Sequence, residues 1–519
     1  MINAPRPYRS ILLTWALVAL GVHLGFNAAY GYARDELYFI DCAKHLAWGY
    51  VDQPPLAVLA ALVAAPAHFA LWAIRLPLAI LSAATVVVGC LTAAELGGRK
   101  FAQTLCGLLM ALAPPYLAQG YVLSTEFLQP LMWTGILYLS IRLVKSGNRR
   151  LLILISVAFI LTMYAKYTVA ALVLMIMLSL ILTGRGRLLS SRYLCMGAAL
   201  AFLLLLPNAA WQWQHGWPMA EVFRGGQLNR HAVHGLSVES SNNFKNALYF
   251  LAMQVLLVNP FFAPIWIWGV AALSFQRSFA PYRFIAVAYL LLVCLMVALT
   301  ARVYYLEGFY PTLFAAGAVA IERYLSGKPR WLVPAALVAA FALDAPLIVL
   351  TLPVLPLQQY MRYEDAIGLS RLGSTDGQRH LVNPAYADQL GWEDMTKMVA
   401  QVYHSLPPAQ RAGTAIFADR YAYAGAIDFY GPRYGLPPVI SPNNSYYLWG
   451  TRGYSGNSVI AVGATDYRLL LHAFGTVRQI AVYRNEYRWI LEGPLPIYLC
   501  THPNAPLVKL WPSFKYYGL

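Results

Sequence analysis

Residues 69–96 read FALWAIRLPLAILSAATVVVGCLTAAEL, with Arg75 and Glu95 the formal charges of the whole run. A helix needs about 20 apolar residues to cross roughly 30 Å of hydrocarbon, and this stretch is longer than that. Working outward from it, similar stretches lie at approximately 11–29, 101–119, 125–144, 151–164, 168–183, 193–210, 248–274, 284–301, 305–323 and 331–352, which makes eleven. Composition agrees, since 59% of residues are hydrophobic and 12% charged, against about 45–50% and about 25% in soluble domains. The expected fold class is an α-helical polytopic membrane protein with about 11 transmembrane helices.

Charge orders these stretches. The chain carries a net charge of +16, and residues 1–357 hold 24 Lys and Arg against eleven of the 22 acidic residues. No dense basic tract with interleaved aromatics occurs, so nucleic acid is not the expected partner. Sixteen of those 24 cations lie at the N-terminus and in alternate connections, at Arg99 and Lys100, Arg142 to Arg150, Arg185 to Arg192, Arg277 to Arg283 and Arg323 to Arg330. The positive-inside rule puts that set in the cytoplasm, and an odd number of spans then puts the C-terminal region outside. The expected location is thus a bacterial inner membrane, N-terminus cytoplasmic. The first span follows Arg6 and Arg9 and reads as a retained signal anchor, although small residues near Ala28 and Ala33 would also suit cleavage.

Long apolar runs stop near Gln358, which suggests a membrane domain over 1–357 with an outer loop at 30–68, and an extracytoplasmic domain over 358–519. In the latter, β-type runs at Thr414 to Ala418, Ser458 to Val462 and Arg478 to Tyr483 alternate with helical patterns at Gly391 to His404 and Asp466 to Phe474. Such alternation predicts a small α/β layer structure. No glycine-rich nucleotide fingerprint follows a strand. The six cysteines have no metal-ligand spacing and read as packing residues; Cys42 and Cys500 face the oxidising side, and whether they pair stays open.

Polar groups that stand against composition mark the chemistry. Four of the membrane part's acids fall in the first outer loop, in Tyr32-Ala33-Arg34-Asp35-Glu36-Leu37-Tyr38 and then Asp41, Lys44, His45 and Asp52-Gln53-Pro54-Pro55. Hydrophobic residues recur there at helical spacing, so part of the loop is expected along the membrane surface. A solvated loop whose charges cap helices is the plainer alternative.

With these motifs the sequence resembles the GT-C glycosyltransferases, the superfamily of protein O-mannosyltransferases, lipid A aminoarabinose transferases and related bacterial sugar transferases. The resemblance runs through most of the chain. It rests on Arg34-Asp35-Glu36, Asp52-Gln53-Pro54-Pro55, Arg75-Leu76-Pro77, Thr125-Glu126, Ala165-Lys166-Tyr167, Arg302-Val303-Tyr304-Tyr305 and Tyr310-Pro311. Each is weak alone, and their order and common placement carry the match. It implies an inverting glycosyltransferase that moves a sugar from polyprenyl phosphate to an acceptor hydroxyl on the outer face. The sequence leaves the sugar open, and the acceptor could be lipid, glycan or protein.

Under that reading Asp35 is the general base, because an acceptor alcohol is a poor nucleophile until a carboxylate takes its proton. Glu126, at the outer end of a span, organises the site where many relatives carry Asp. The leaving phosphate needs positive charge, for which Lys166, Arg302 and Arg75 are the candidates, with Tyr304 and Tyr305 as hydrogen-bonding partners. As interfacial residues these cations and tyrosines would equally serve as membrane anchors. Glu36, His45, Asp52 and Gln53 are assigned to acceptor or sugar binding, with helix capping the other reading of Glu36. Aminoarabinose transferases commonly have Lys where this chain has Gln53, which argues against that particular activity. Gly391-Trp392, the aromatic run Tyr421 to Tyr434 and Asn443 to Tyr447 suit carbohydrate contact. His231 and His234 lack a third ligand, so zinc is not expected. A divalent cation, Mg or Mn, on Asp35 and Glu126 is the metal alternative left open. A transporter or lipid flippase is the competing class; it should show paired halves with broken helices and midplane ligands.

Overall fold

All eleven apolar stretches are helical, but several are interrupted for reasons visible in their residues. The computed structural model describes residues 7–228, 243–368, 384–463, 466–485, 487 and 493–518; His231 and His234 lie outside them. Five helices are long and apolar enough to cross a membrane: Arg9–Phe26, Leu71–Glu95, Arg192–Gln214, Arg277–Ala298 and Leu332–Thr351. A sixth crossing results if Phe244–Val258 and Ala263–Phe275, bent by 115°, count as one span. The remaining stretches are shorter. Lys100–Leu112 stops where Ala113 turns extended (ψ 137°) before Pro114, as a residue preceding proline is pushed out of the helical region. The bend after Val258 falls at Asn259, whose φ of +132° no helix accommodates. Leu151–Met163 has 13 residues, about 20 Å of helix. About 11 helical stretches were expected to cross, and length and composition support five or six among the described residues.

The chain divides into two compact units, one of residues 1–28, 72–209 and 238–356 and the other of residues 29–71, 210–237 and 357–519. The first outer loop therefore belongs to the same unit as the C-terminal segment.

The membrane unit is mostly helical. Large apolar side chains such as Leu13, Leu17, Leu154, Leu161, Leu174, Phe202, Phe275 and Phe341 lie exposed along its helices, a disposition that water disfavours and lipid accepts. Its centre is the Tyr310–Leu325 helix, buried continuously from Tyr310 to Ala320. Two glycines set its packing. A Cβ on Gly269 would stand 2.3 Å from the Leu313 carbonyl oxygen, and one on Gly317 would stand 2.0 Å from that of Ile265. Small residues let membrane helices approach to backbone contact, where dispersion replaces the hydrophobic drive.

The second unit holds a five-stranded mixed sheet of order β2-β1-β3-β5-β4, with β1 Thr414–Ala418, β2 Val439–Ile440, β3 Ser458–Val462, β4 Phe474–Tyr483 and β5 Leu495–Pro503. The three expected strands are present, with the third longer than its apolar run. β1 pairs in parallel with β2 and β3, whereas β5 runs antiparallel to β3 and β4. Both central parallel strands are buried throughout, as a sheet covered on both faces requires. The edge strand β4 exposes Thr476, Arg478 and Gln479 and carries an irregularity between Gln479 and Ala481, features that discourage pairing with another chain. Cys42 and Cys500 are both buried and free.

Because backbone carbonyls cannot yield, Gly317→Leu should destabilise the membrane unit by about 1–3 kcal/mol, in the range of overpacked cores. Gly135→Ala, inside the helix Gln129–Ser146 with nothing within 4 Å of the new Cβ, should melt no lower than the wild type. Thermal melts in detergent check both, and equal midpoints for Gly317→Leu and wild type would reject the packing account.

Candidate functional site

The sequence-predicted residues fall into two groups, one in each unit. In the second unit the helix Arg34–Lys44 starts at Ala33, which is extended at ψ 157°. Ala33 N–H donates to Glu36 Oε2 at 2.8 Å, so Glu36 satisfies an amide that the first turn leaves without a helical partner. Acids in the first turn and Lys44 in the last oppose the helix dipole favourably. Glu36, expected at the acceptor, is fully buried in this capping role.

Its neighbour Asp35 is only partly buried and accepts a 2.9 Å hydrogen bond from the Tyr421 hydroxyl. Asp52 is held at both oxygens, by the Tyr38 hydroxyl at 2.9 Å and the Asn444 amide at 2.9 Å. Ser445 ties this arrangement together: the Tyr38 hydroxyl lies 2.8 Å from its Oγ, which also receives the Val51 N–H at 3.2 Å. Asp41 accepts from the Tyr446 hydroxyl at 2.5 Å and from Lys44 at 2.7 Å. Arg34 forms an ion pair with Asp388. His45 stacks on Trp449 with ring centroids 4.1 Å apart. Gln53 is 1% exposed, and among the described residues neither of its side-chain polar atoms has a hydrogen-bond partner.

These acids share a confined space, and their proton affinities reflect it. Burial pushes Asp52 up to about 7, with the Asp35 charge adding to the rise and the Tyr38 and Asn444 hydrogen bonds opposing it. Asp388 is likewise raised to about 7 by burial and by Asp35, against the pull of the Arg34 guanidinium. Asp428 is held above the usual carboxylate range by burial and by the nearby Asp41 carboxylate, while Arg452 opposes the shift. Tyr38 and Tyr421 are held well above the usual phenol range by burial first, so both remain donors.

The membrane unit gathers the other group. Glu126, in the turn before the Gln129–Ser146 helix, makes an ion pair with Lys166 and accepts from Thr125 Oγ1 at 2.9 Å. The Lys166 ammonium stands 4.6 Å from the Tyr305 ring centroid and 5.3 Å from that of Tyr304, within cation–π range. Arg302 is exposed and lies close enough to Tyr304 for its charge to act on that phenol. Lys166 and Arg302 therefore approach one tyrosine. Gln129 donates to the Tyr305 carbonyl at 3.0 Å and so fixes the segment that carries both tyrosines. Arg75 is set differently: it is fully buried, donates to the Asn27 carbonyl at 3.0 Å and lies 4.4 Å from the Tyr121 ring centroid.

Sequence reasoning missed Glu307, which is buried, accepts from Gln119 at 3.1 Å and is close enough to Lys166 to feel its charge. Its place two residues after the quoted Tyr305 was the available signal. It also missed Arg34 with Asp388, since a contact spanning 354 positions leaves no local mark. Among the described residues no cluster of three or more His, Cys, Asp or Glu has a metal-holding arrangement.

Lys166 and Glu126 are 16% and 10% exposed at their side chains, so deleting one partner strands the other's charge. In a thermal-melt double-mutant cycle, Glu126→Gln and Lys166→Met should each destabilise. The double variant should cost less than the sum, with coupling on the order of 2 kcal/mol. Additive losses would show that the pair contributes nothing.

Asp52 gives a pH prediction. Its pKa of about 7 in the folded protein lies above the roughly 3.9 of an unfolded chain. Below both values each state holds the proton and the shift has no effect. Between them only the unfolded state releases it, so folded stability falls as pH rises through that window and levels off above it. Asp52→Asn has no such loss, and its melting midpoint relative to wild type should climb between about pH 4 and about pH 7. A difference that stays flat with pH would contradict the shift.

Comparison with known proteins bears on the whole arrangement. Residues 52–211 match a family model described as dolichyl-phosphate-mannose-protein mannosyltransferase. A search of curated proteins gave no significant match. Among solved structures, ArnT from Cupriavidus metallidurans bound to undecaprenyl phosphate is 16% identical, with a TM-score of 0.59 over 94% of this chain and 97% of that one. The apo form of the same protein is 15% identical, with a TM-score of 0.57 over 95% and 97%. At such low identity the likeness shows the fold alone: the chain is folded like ArnT, and its residues 52–211 in addition resemble a mannosyltransferase family.

Proposed function

We propose that this chain transfers a sugar from a polyprenyl phosphate to an acceptor hydroxyl at the outer face of a bacterial inner membrane, in the building or modification of an envelope glycan, with inversion at the anomeric carbon. The observation that carries the proposal is the approach of Lys166 and Arg302 to Tyr304, two cations from connecting segments far apart in sequence. That is where a developing phosphate charge would be stabilised. Undecaprenyl phosphate bound to the structurally similar ArnT supports a lipid-phosphate donor.

In the proposed step the acceptor oxygen attacks the anomeric carbon and Asp35 takes the hydroxyl proton. The bond from that carbon to the phosphate oxygen breaks, and the electron pair leaves with the lipid phosphate. Tyr421 orients the Asp35 carboxylate. Asp52, which keeps its proton to about 7, holds a second negative charge away from Asp35 near neutral pH. Two carboxylates thereby take different roles through their surroundings. Glu126 positions Lys166 without touching substrate, and Tyr305 offers that ammonium a ring face. Arg75, buried between the Asn27 carbonyl and Tyr121, positions the helix ends that frame the site.

The test uses purified full-length protein in nanodiscs with radiolabelled polyprenyl-phosphate mannose and envelope extract as the acceptor source. Asp35→Asn should slow release of polyprenyl phosphate by about 10²–10⁴-fold, the usual contribution of a general base, with an unchanged melting midpoint. Transfer at the wild-type rate would reject the mechanism. Counterflow of the lipid in vesicles without covalent product would favour a flippase.

A further inference from the structure

In the membrane unit the helices Leu151–Met163 and Arg192–Gln214 each carry an exposed stripe that begins at an arginine. Arg150, Leu154, Val157 and Leu161 are exposed at the spacing of one helix face, and so are Arg192, Met196, Ala199 and Leu203. Below its arginine each stripe is apolar. The two helices lie against each other, since a Cβ on Gly197 would stand 2.1 Å from Ser156 Oγ and 3.6 Å from the Leu152 carbonyl oxygen. From Arg192 to Leu203 the chain rises about 16 Å, half of the roughly 30 Å of hydrocarbon in a bilayer. Each stripe is therefore about as long as one leaflet is deep.

The heads of the two stripes converge on one hydroxyl. Arg150 Nε donates to the Tyr193 oxygen at 3.4 Å and Arg192 Nη2 donates to it at 3.3 Å, while Arg149 Nη1 donates to the neighbouring Ser190 carbonyl at 2.9 Å. A phenol oxygen has two lone pairs and one proton. With a guanidinium on each lone pair, the proton is what Tyr193 has left to donate. Among the described residues no carboxylate pairs with Arg149, Arg150 or Arg192, and Glu95 is taken by Lys145 at 2.7 Å and Arg142 at 3.7 Å. All three arginines are exposed. Such a set of donors, with no acceptor among its side chains, fits a phosphate.

The positive-inside rule accounts for cations in these connections, but it asks only for charge. It calls neither for arginine over lysine nor for two arginines on one hydroxyl at the head of leaflet-long apolar stripes. The cluster is also separate from the cations near Tyr304, because Lys166 follows the opposite end of the helix that Arg150 precedes.

We infer that this face binds an anionic glycerophospholipid, with the headgroup phosphate held by Arg150, Arg192 and the Tyr193 hydroxyl and the two acyl chains laid along the two stripes. Basic sites between membrane helices suit such headgroups. The inference is independent of the transferase reading, since binding here needs neither donor sugar nor Asp35.

Native mass spectrometry of the full-length protein in detergent provides the test, with dioleoyl phosphatidylglycerol and dioleoyl phosphatidylcholine titrated as probes. The wild type should bind phosphatidylglycerol about tenfold more tightly than phosphatidylcholine, whose chains are the same and whose headgroup is neutral overall. Arg150→Gln combined with Arg192→Gln should weaken phosphatidylglycerol binding about ten- to thirtyfold, the scale of two charges near a membrane surface. Arg150→Lys combined with Arg192→Lys keeps the charge but loses the planar fork, and should weaken binding about three- to tenfold. Lys328→Gln combined with Arg330→Gln removes as much charge from another connection and should bind as the wild type does. Melting curves identify any variant that fails to fold; if the glutamine pair fails, the lysine pair decides. Equal affinity of the wild type for the two lipids, or wild-type affinity in either the glutamine or the lysine pair, overturns the proposal. An equal loss in the Lys328 and Arg330 pair also overturns it, because net charge would then explain the binding.

Discussion

The helices Arg34–Lys44 and Tyr421–Tyr430 pack so closely that a Cβ on Gly425 would lie 3.1 Å from the Leu37 carbonyl carbon and from the Tyr38 amide nitrogen. Everything the second unit does with its acids depends on that approach. It brings the Tyr421 hydroxyl to Asp35 and puts Asp41 against Asp428. The donors that meet these carboxylates are largely phenols and amides. A neutral hydrogen bond satisfies a buried oxygen without removing its charge or its basicity as an ammonium or guanidinium would. Tyr421 thus orients Asp35, while Asp388 is paired with the Arg34 guanidinium.

The membrane unit follows a different electrostatic rule. Ionised groups at or near the bilayer are costly unless they are paired, and Lys166 meets this with the Glu126 carboxylate and two aromatic faces. Such a pair adds little net stability against an apolar alternative, yet losing one member is expensive. The pair therefore makes sense as a held charge. Tyr304 and Tyr305 lie in a single short segment between two apolar helices, and Gln129 and Gln254 fix that segment through the carbonyls of Tyr305 and Val303.

Local chemistry was legible in the sequence and long-range pairing was not. Apolar length marked every membrane helix, because each span depends on its own residues. The breaks at Pro114 and Asn259 shortened several of them, and a hydropathy window averages over a single turn. The β1 and β3 strands read correctly from β-branched and apolar runs, whereas β5, Leu495–Pro503, carries two prolines and alternates weakly. Among the candidate site residues, the capping geometry of Glu36 follows from its place three residues after Ala33 and could have been preferred at once. Arg75 looked like a phosphate ligand for the same reason that it is an effective clamp: a buried guanidinium needs several partners, and nothing local says that they are a helix-end carbonyl and a tyrosine.

Carboxylates buried together are pushed toward their protonated forms, first by the loss of water and then by one another's charge. Here burial first, and neighbouring acids second, raise Asp52 and Asp388 to about 7 and hold Asp428 above the usual carboxylate range. Near neutral pH such a cluster is therefore part donor and part acceptor. A hydroxyl-rich ring presents the same mixture, because every hydroxyl donates once and accepts at up to two lone pairs. A phosphate presents acceptors alone and is better met by the cations around Tyr304. The difference between the two units in how they handle charge thus corresponds to the difference between the two substrates proposed for this chain.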